Sequence, residues 1–171
     1  LCKVQPGVVN DKLNIALKPY GFFFPPTPSS GNICTIGGMI GTNASGNRAV
    51  KYGGTRDSVL GLKVVLANGD LVHLGTNTMT DASGYQLARL MVGSEGTLGV
   101  VVEATLLIRP LPKFRAMGMA HFDKLGDAGN AISKIISSSL INGWRLPLSA
   151  VSRLGRRSGD TLTSKRAVTS M

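Results

Sequence analysis

The chain has 171 residues, of which 43% are hydrophobic and 16% are charged, and its formal net charge at pH 7 is +10. This apolar content is sufficient for one folded domain with a core and excludes a largely disordered chain. No apolar run has the length that a membrane-spanning helix requires, so we expect no transmembrane segment.

The start of the chain carries no targeting signal. Leu1-Cys2-Lys3-Val4 lacks the charged and apolar regions of a signal peptide and has no initiator Met, so we expect the chain to begin within a longer gene. Cys2 and Cys34 form no metal or redox motif. Two free thiols favour a reducing compartment, and we predict a cytoplasmic protein, with membrane association left open only through a partner.

The first segments predict a short strand and a small surface helix. Lys3 to Val8 is a candidate strand that Pro6-Gly7 interrupts. Asn10 is predicted to be the N-cap of a helix, because apolar residues recur at helical spacing from Leu13 onward. Gly21 is predicted to end this helix as its C-cap.

A proline-rich stretch follows, with the sequence Pro25-Pro26-Thr27-Pro28-Ser29-Ser30. Its prolines hold the backbone extended and lack amide donors, while the serines add short hydroxyl groups. A rigid loop is the simplest interpretation of this stretch by itself.

Two glycine-containing motifs come next. Thr35-Ile36-Gly37-Gly38 predicts a short helix capped by Thr35, and Asn43-Ala44-Ser45-Gly46 follows that helix. Glycines at a helix start would let a phosphate group approach the first amides and the positive end of the helix dipole. Close helix packing, which also needs small residues, is the alternative. The pattern is neither a Rossmann Gly-x-Gly-x-x-Gly motif nor a P-loop.

A predicted hairpin follows the polar turn that begins at Lys51-Tyr52-Gly53. Val59 to Leu66 is an apolar strand, Asn68-Gly69 is a strong hairpin signal, and Leu71 to Leu74 is the return strand. His73 lies on this hairpin without the partner cluster that a metal site needs.

The most informative stretch is Gly93-Ser94-Glu95-Gly96-Thr97-Leu98-Gly99, called the glycine loop below. Glycine at every third position favours a tight loop whose amides are free to meet a ligand, although such clusters are often only turns. Asp81 to Met91 is a predicted helix that leads into the loop. Val100 to Ile108 is a predicted buried strand that follows it.

The end of the chain loses this regularity. The proline pair at 110 and 112 indicates a boundary. Beyond it, Phe114 to Phe122 is a candidate strand and Asp127 to Ser137 a candidate helix, with Ser and Arg prevailing from residue 140.

Positive charge is concentrated in this last part. Residues 1–130 contain 12 Lys and Arg against 8 Asp and Glu, whereas residues 131–171 contain 7 against 1. More than half of the net charge therefore lies in the last quarter. We interpret residues 140–171 as a basic tail, unstructured or aberrant, with an arm that binds nucleic acid as the alternative.

In their order, the motifs resemble the FAD-binding domain of the FAD-linked oxidases, the vanillyl-alcohol oxidase or PCMH type. The similarity is greatest to the branch of glycolate oxidase subunits and D-lactate or D-2-hydroxyglutarate dehydrogenases, and it covers about residues 4–136. The motifs that carry it are Pro25–Ser30, Thr35–Gly38, Asn43–Gly46, Lys51–Gly53 and Gly93–Gly99. It implies an α+β fold, the second FAD-binding subdomain of that type, with a mixed sheet flanked by helices and the start of a cap domain.

The resemblance also implies that FAD is the cofactor. Pro28–Thr35 and Thr42–Ser45 would line the flavin and pyrophosphate, and Glu95–Val101 would close over the ribose and adenine. It assigns no catalytic residue and no metal ligand, and neither His73 nor His121 is a good candidate for covalent flavin attachment. The implied cofactor-binding residues are Pro28, Ser29, Ser30, Thr35, Gly37, Gly38, Thr42, Asn43, Ala44, Ser45, Gly46, Glu95, Gly96, Thr97, Leu98, Gly99, Val100 and Val101.

Two departures from the family bear on domain organisation. Nothing matches the smaller first subdomain, whose glycine-rich loop grips the pyrophosphate, and the cap domain that supplies substrate-binding residues is almost absent. We therefore predict a partial FAD-binding domain at 1–112, the start of a cap domain at 113–139 and the tail at 140–171.

The implied parent activity is the oxidation of a small 2-hydroxy acid, such as glycolate or D-lactate, to the 2-keto acid by hydride transfer to FAD. The electron acceptor is left open, and no nucleic-acid partner is expected. The alternative is a non-catalytic remnant, or a binding module whose basic tail contacts nucleic acid or a partner.

Overall fold

A computed structural model describes residues 1–78, 82, 84–113 and 120–137. Contacts between residues divide the chain into two units. Leu1–Lys113 belong to the first unit, and the described residues 120–137 belong to the second. The predicted tail at 140–171 lies outside the described residues, as does most of the candidate strand at Phe114–Phe122.

The first unit is built on a four-stranded sheet of order β1-β5-β3-β4. Every strand pair in the described residues is antiparallel, so the α+β class is confirmed while the predicted mixed sheet is corrected to an antiparallel one. A second sheet pairs two short strands. The strands are β1 (Cys2–Val4), β2 (Phe22–Phe23), β3 (Val59–Val65), β4 (Leu71–Gly75), β5 (Val100–Leu106) and β6 (Arg109–Pro110).

The predicted hairpin is confirmed and sets the register of the sheet. Gly69 has φ 88°, a left-handed conformation that favours glycine, and its N–H donates to the Leu66 carbonyl at 2.9 Å to close the turn. Strand β4 therefore returns directly along β3, with Val65 opposite Leu71 and Leu62 opposite Leu74.

Helices of the first unit pack against this sheet. In the described residues they are α1 (Asn10–Leu17), α2 (Ile36–Thr42), α3 (Ala49–Tyr52), α4 (Thr55–Ser58) and α5 (Leu87–Met91), of which α1, α2 and α5 contribute to the core. Helix α6 (Leu125–Ser137) belongs to the second unit. A single buried cluster joins residues of α1, α2 and α5 to the inner face of β3 and β5. Ile36 and Ile40 of α2, Val64 of β3 and Leu106 of β5 are among its fully buried members. No described helix is both long and apolar enough to cross a membrane.

The structure corrects the predicted N-cap of the first helix. Helix α1 begins at Asn10, and its N-cap is Val9, which provides no side-chain cap. The Asn10 side chain, which was predicted to cap the helix, is buried. It donates instead to the Pro26 carbonyl at 3.5 Å, which is a tertiary contact. Leu13 and Leu17 are also buried, which makes α1 a packed helix rather than a surface helix. Gly21 ends the short 3₁₀ turn that follows, with φ 76°.

Three further predicted elements have different bounds. The strand predicted at Lys3–Val8 is β1, which ends at Val4. The helix predicted from Asp81 begins only at Leu87, because Gly84 adopts φ 93° and residues 84–86 are not helical. Helix α6 confirms the helix predicted at Asp127–Ser137 and begins two residues earlier, at Leu125. Both cysteines are free thiols, as predicted, and burial raises the pKa of the Cys2 thiol.

Candidate functional site

The first wall of the site is the proline-rich stretch. Residues 24–26 are fully buried, and the Phe24 N–H donates to Asn14 Oδ1 at 2.9 Å. The chain then turns, with the Gly31 N–H donating to the Pro28 carbonyl at 3.1 Å. The prediction of a loop is thus confirmed, and residues 29–30 are exposed at its turn.

The second wall is the segment that follows α2. The Thr35 hydroxyl caps α2 by accepting from the Gly38 N–H at 3.2 Å, as predicted. Helix α2 ends at Asn43, which is left-handed with φ 49°, a conformation that asparagine tolerates better than most residues. The Ala44 carbonyl accepts from the Thr55 backbone at 3.1 Å and from the Thr55 hydroxyl at 2.5 Å, which holds the beginning of the wall.

Gly46 brings the two walls into contact. A β-carbon at this position would overlap the Thr27 carbonyl, so only glycine allows the backbones to approach this closely. The Thr27 hydroxyl also lies 3.3 Å from Asn47 Oδ1. Between the walls is an open cleft of about 450 Å³, called the amide cleft below. It is lined by Thr27, Pro28, Ser29, Ser45, Gly46 and Asn47.

The amide cleft offers hydrogen-bond donors and no negative charge. Within the described part of the chain, the N–H groups of Ser29, Ser45, Gly46 and Asn47 donate to no protein acceptor. None of the lining residues is acidic, and the next residue, Arg48, carries a positive charge and lies over the Phe23 ring. Backbone donors beside small hydroxyl groups suit a phosphate group, so the residues present fit the pyrophosphate of a dinucleotide.

The start of α2, in contrast, does not offer its amides to a ligand. The Ile36 N–H donates to the Val8 carbonyl, and the Gly37 N–H to the Pro6 carbonyl, both at 2.8 Å. A β-carbon at Gly37 would lie 2.7 Å from the Pro6 side chain. The amides of residues 36 and 37 therefore have protein acceptors, which weakens the prediction of a phosphate at this helix start and favours the alternative, close packing that needs small residues.

The glycine loop docks on the other end of α2. The Gly93 N–H donates to the Ile40 carbonyl at 2.9 Å and the Glu95 N–H to the Gly41 carbonyl at 3.0 Å. Helix ends leave such carbonyls without intrahelical partners. The amides of Gly93 and Glu95 are therefore not free, contrary to expectation. In the described residues the N–H groups of Gly96 and Leu98 donate to no protein acceptor, as expected.

The remaining predicted residues are spread around these features. Thr42 donates its hydroxyl to the Gly38 carbonyl at 3.0 Å within α2. A β-carbon at Gly99 would lie 2.6 Å from Val64 Cγ1, so the end of the loop packs on β3. Val100 and Val101 begin β5, where Val100 is 64% exposed.

The structure therefore brings only part of the predicted set into the amide cleft. Pro28, Ser29, Ser45 and Gly46 line it, whereas Thr35, Gly37 and Gly38 form the first turn of α2. Glu95 to Gly99 form a separate surface on the end of α2.

Two residues that line the amide cleft were not among the predicted ones. Thr27 lies inside the proline-rich motif and Asn47 directly follows the Asn43–Gly46 motif, so adjacency to a motif was the available signal. Thr55 was also missed, because its role depends on a carbonyl that only the fold brings near it.

Known proteins with similar sequences are named as oxidases and dehydrogenases. Residues 1–75 match a family model described as an FAD binding domain. The chain is 46% identical over 138 residues to the glycolate oxidase subunit GlcD of Bacillus subtilis (strain 168), covering 81% of this chain and 29% of the relative. It is 44% identical over 135 residues to the mitochondrial D-lactate dehydrogenase (cytochrome) of Arabidopsis thaliana, covering 78% of this chain and 24% of the relative.

A solved structure shares the fold. The chain is similar to alkyldihydroxyacetonephosphate synthase, with a TM-score of 0.64 and 26% identity, covering 81% of this chain and 26% of the other. The chain thus spans less than a third of the length of each of these three proteins.

Proposed function

The chain belongs to the FAD-linked oxidase family, whose cofactor is FAD, and from this we propose that it holds FAD with the pyrophosphate in the amide cleft. The observation that carries the proposal is the contact of Gly46 with Thr27, which brings together two segments whose lining residues include amides without a protein acceptor in the described residues. A doubly charged pyrophosphate gains from several such donors at once, and the absence of acidic lining residues removes repulsion.

The glycine loop is proposed as the second contact. The N–H groups of Gly96 and Leu98 supply donors to the ribose and adenine end of FAD, and residues 97–101 form the adjoining surface. Thr35, Gly37 and Gly38 act indirectly in this proposal. Their hydrogen bonds and packing fix α2, which in turn supports both the second wall and the glycine loop.

The reaction that we propose for the protein carrying this segment is the oxidation of a small 2-hydroxy acid to the 2-keto acid. The curated relatives support it, since their names specify glycolate and D-lactate, which are both 2-hydroxy acids. The chemistry that FAD supplies when bound is acceptance of the hydride from carbon 2 of the acid. The described residues of this chain bind and orient the cofactor through backbone donors. These donors can approach the cofactor closely only where the neighbouring side chains are small.

The test of the cofactor site compares Ser45→Asp with Ser45→Asn by titration with FAD. Asp and Asn have the same shape, so the pair isolates the charge. We expect Ser45→Asp to weaken FAD binding by about tenfold or more, the scale of losing one charge-assisted hydrogen bond, and Ser45→Asn to have little effect. Riboflavin, which lacks phosphate, should not distinguish the two variants.

Two results would contradict the proposal. A wild-type chain that binds no FAD would show that this chain does not hold the cofactor. Equal binding of FAD by the two Ser45 variants would place the pyrophosphate elsewhere. The reaction class is tested separately, by adding glycolate or D-lactate, without oxygen, to an FAD-loaded longer protein that carries both this segment and a substrate-binding cap domain. Loss of the visible flavin band is expected, and its persistence with both acids would refute oxidation of these 2-hydroxy acids.

A further inference from the structure

Helix α4 lies between the second wall of the amide cleft and the glycine loop and contacts both. The Arg56 N–H donates to Asn43 Oδ1 at 3.1 Å, on the wall side. The Arg56 side chain reaches the other way, and its Nη2 donates to the Val92 carbonyl at 2.8 Å, directly before the glycine loop. One residue therefore bridges two segments that are separated by about fifty positions in the sequence.

The surroundings of Arg56 are shaped to this bridge. Gly93 has φ 92°, and a β-carbon there would lie 3.1 Å from Arg56 Nη2 and 3.4 Å from the Asn43 β-carbon. Glycine is thus needed both for the backbone conformation and for the room that the guanidinium occupies. Asn43 is itself left-handed, with φ 49°, and the Arg56 N–H satisfies its side-chain oxygen.

The charge of Arg56 is not committed to an ion pair. In the described residues no carboxylate lies within ion-pair distance of it. Its side-chain hydrogen bond goes to a backbone carbonyl, and a bond from a charged donor is stronger than one between neutral groups. The interaction consequently acts on the position of the backbone at Val92, not on the charge of another side chain.

We propose that Arg56 is a positioning residue, which holds the Asn43–Gly46 segment and the glycine loop in one fixed relation so that both bind the same FAD molecule. This inference rests on the proposed function for its cofactor part. The inference goes beyond the proposed function because it assigns the coupling of the Asn43–Gly46 segment and the glycine loop to Arg56, which lies outside both. A fixed relation between the two segments would offer FAD a preorganised surface, so that less binding free energy is spent on ordering the loop.

The first measurement is amide hydrogen exchange in the cofactor-free full chain. Arg56→Ala should speed exchange at Gly93 and Glu95 by about tenfold, the scale for a lost hydrogen bond to a charged group. Exchange in the core strands β3 and β5 should stay unchanged. Arg56→Lys keeps a charged donor and should restore most of the protection.

Arg89→Ala is the matched control. Arg89 is an exposed arginine of the neighbouring helix α5, and its side chain makes no hydrogen bond or ion pair within the described residues. We expect its replacement to leave exchange in the glycine loop unchanged. Ser45→Asp serves as the converse control, because it alters the amide cleft and should not alter exchange in the loop.

The second measurement is FAD titration of the same variants. Arg56→Ala should weaken FAD binding by about tenfold, with Arg56→Lys close to wild type and Arg89→Ala unchanged. If the wild type binds FAD and Arg56→Ala binds it with the same affinity, the inference is overturned and the proposed function is left intact. No binding by the wild type would overturn the proposed function and the cofactor part of the inference together. Unchanged exchange in Arg56→Ala would show that Arg56 does not hold the loop.

Discussion

The backbone of Gly46 lies directly against the carbonyl oxygen of Thr27, and the contact exists only because residue 46 has no side chain. It joins two motifs that are distant in the sequence and closes one side of the amide cleft. Position 46 should therefore control both the stability of the first unit and the shape of the cleft.

Gly46→Ala tests this relationship. The added methyl group must push the Thr27 carbonyl away, and we expect the free energy of unfolding to fall by about 2 kcal/mol, the usual scale of overpacking. Urea denaturation measures the loss. Gly7→Ala is the control, since nothing lies within 4 Å of a β-carbon at Gly7. Its effect should stay within about 0.5 kcal/mol. Equal effects of the two substitutions would show that the contact with Thr27 is not important.

Gly75 and Gly69 provide a second matched pair, since both have positive φ, at 79° and 88°. A β-carbon at Gly75 would overlap the Leu60 carbonyl and lie 2.9 Å from the Ala88 β-carbon, whereas Gly69 faces open space. We expect Gly69→Ala to cost about 1 kcal/mol from backbone strain alone. Gly75→Ala should cost about 1–3 kcal/mol more, from overpacking. Thermal or urea unfolding of both variants measures the difference, and equal losses would argue against the packing of α5 on this end of β4.

Thr55→Val removes the buried hydroxyl that donates to the Ala44 carbonyl while keeping the shape of the side chain. The expected loss is about 1 kcal/mol of unfolding free energy, the typical net value of one hydrogen bond. Thr105→Val is the control, because the Thr105 side chain is 7% exposed and makes no side-chain hydrogen bond within the described residues. Valine at that strand position should be neutral or stabilising. If Thr55→Val is as harmless as Thr105→Val, the hydroxyl does not hold the second wall.

Lys63 and Glu103 face each other on adjacent strands, with Lys63 Nζ 3.1 Å from Glu103 Oε1. Their side chains are 34% and 31% exposed, so water and salt screen the pair. A double-mutant cycle with Lys63→Ala and Glu103→Ala should give a coupling energy below about 1 kcal/mol, which decreases further as salt is added. A larger coupling that is insensitive to salt would mean that the pair is more enclosed than this geometry indicates.

The local elements were largely predictable because their signals lie within a few residues. Asn68-Gly69 predicts the hairpin through the backbone conformation that its turn demands. Thr35 predicts the start of α2 through a side chain that reaches an amide three positions later. Asn10 was misjudged for the opposite reason. Its side chain bonds to Pro26, a partner that no local pattern identifies.

The sequence by itself determined the strands of the larger sheet, the hairpin, helices α1, α2, α5 and α6 and the ordered motifs that identify an FAD-binding family, since each depends on local backbone preference or on residue order. It did not predict the short strands β2 and β6, and the predicted polar turn contains the short helices α3 and α4. Only the tertiary structure decided which backbone donors remain for a ligand. The amides of Gly37 and Gly93 looked as available as that of Gly46, but the fold brings the carbonyls of Pro6 and Ile40 to the first two and leaves the third open to the cleft. A hydrogen-bond donor is free only when no acceptor lies near it, and the acceptors here come from distant parts of the chain.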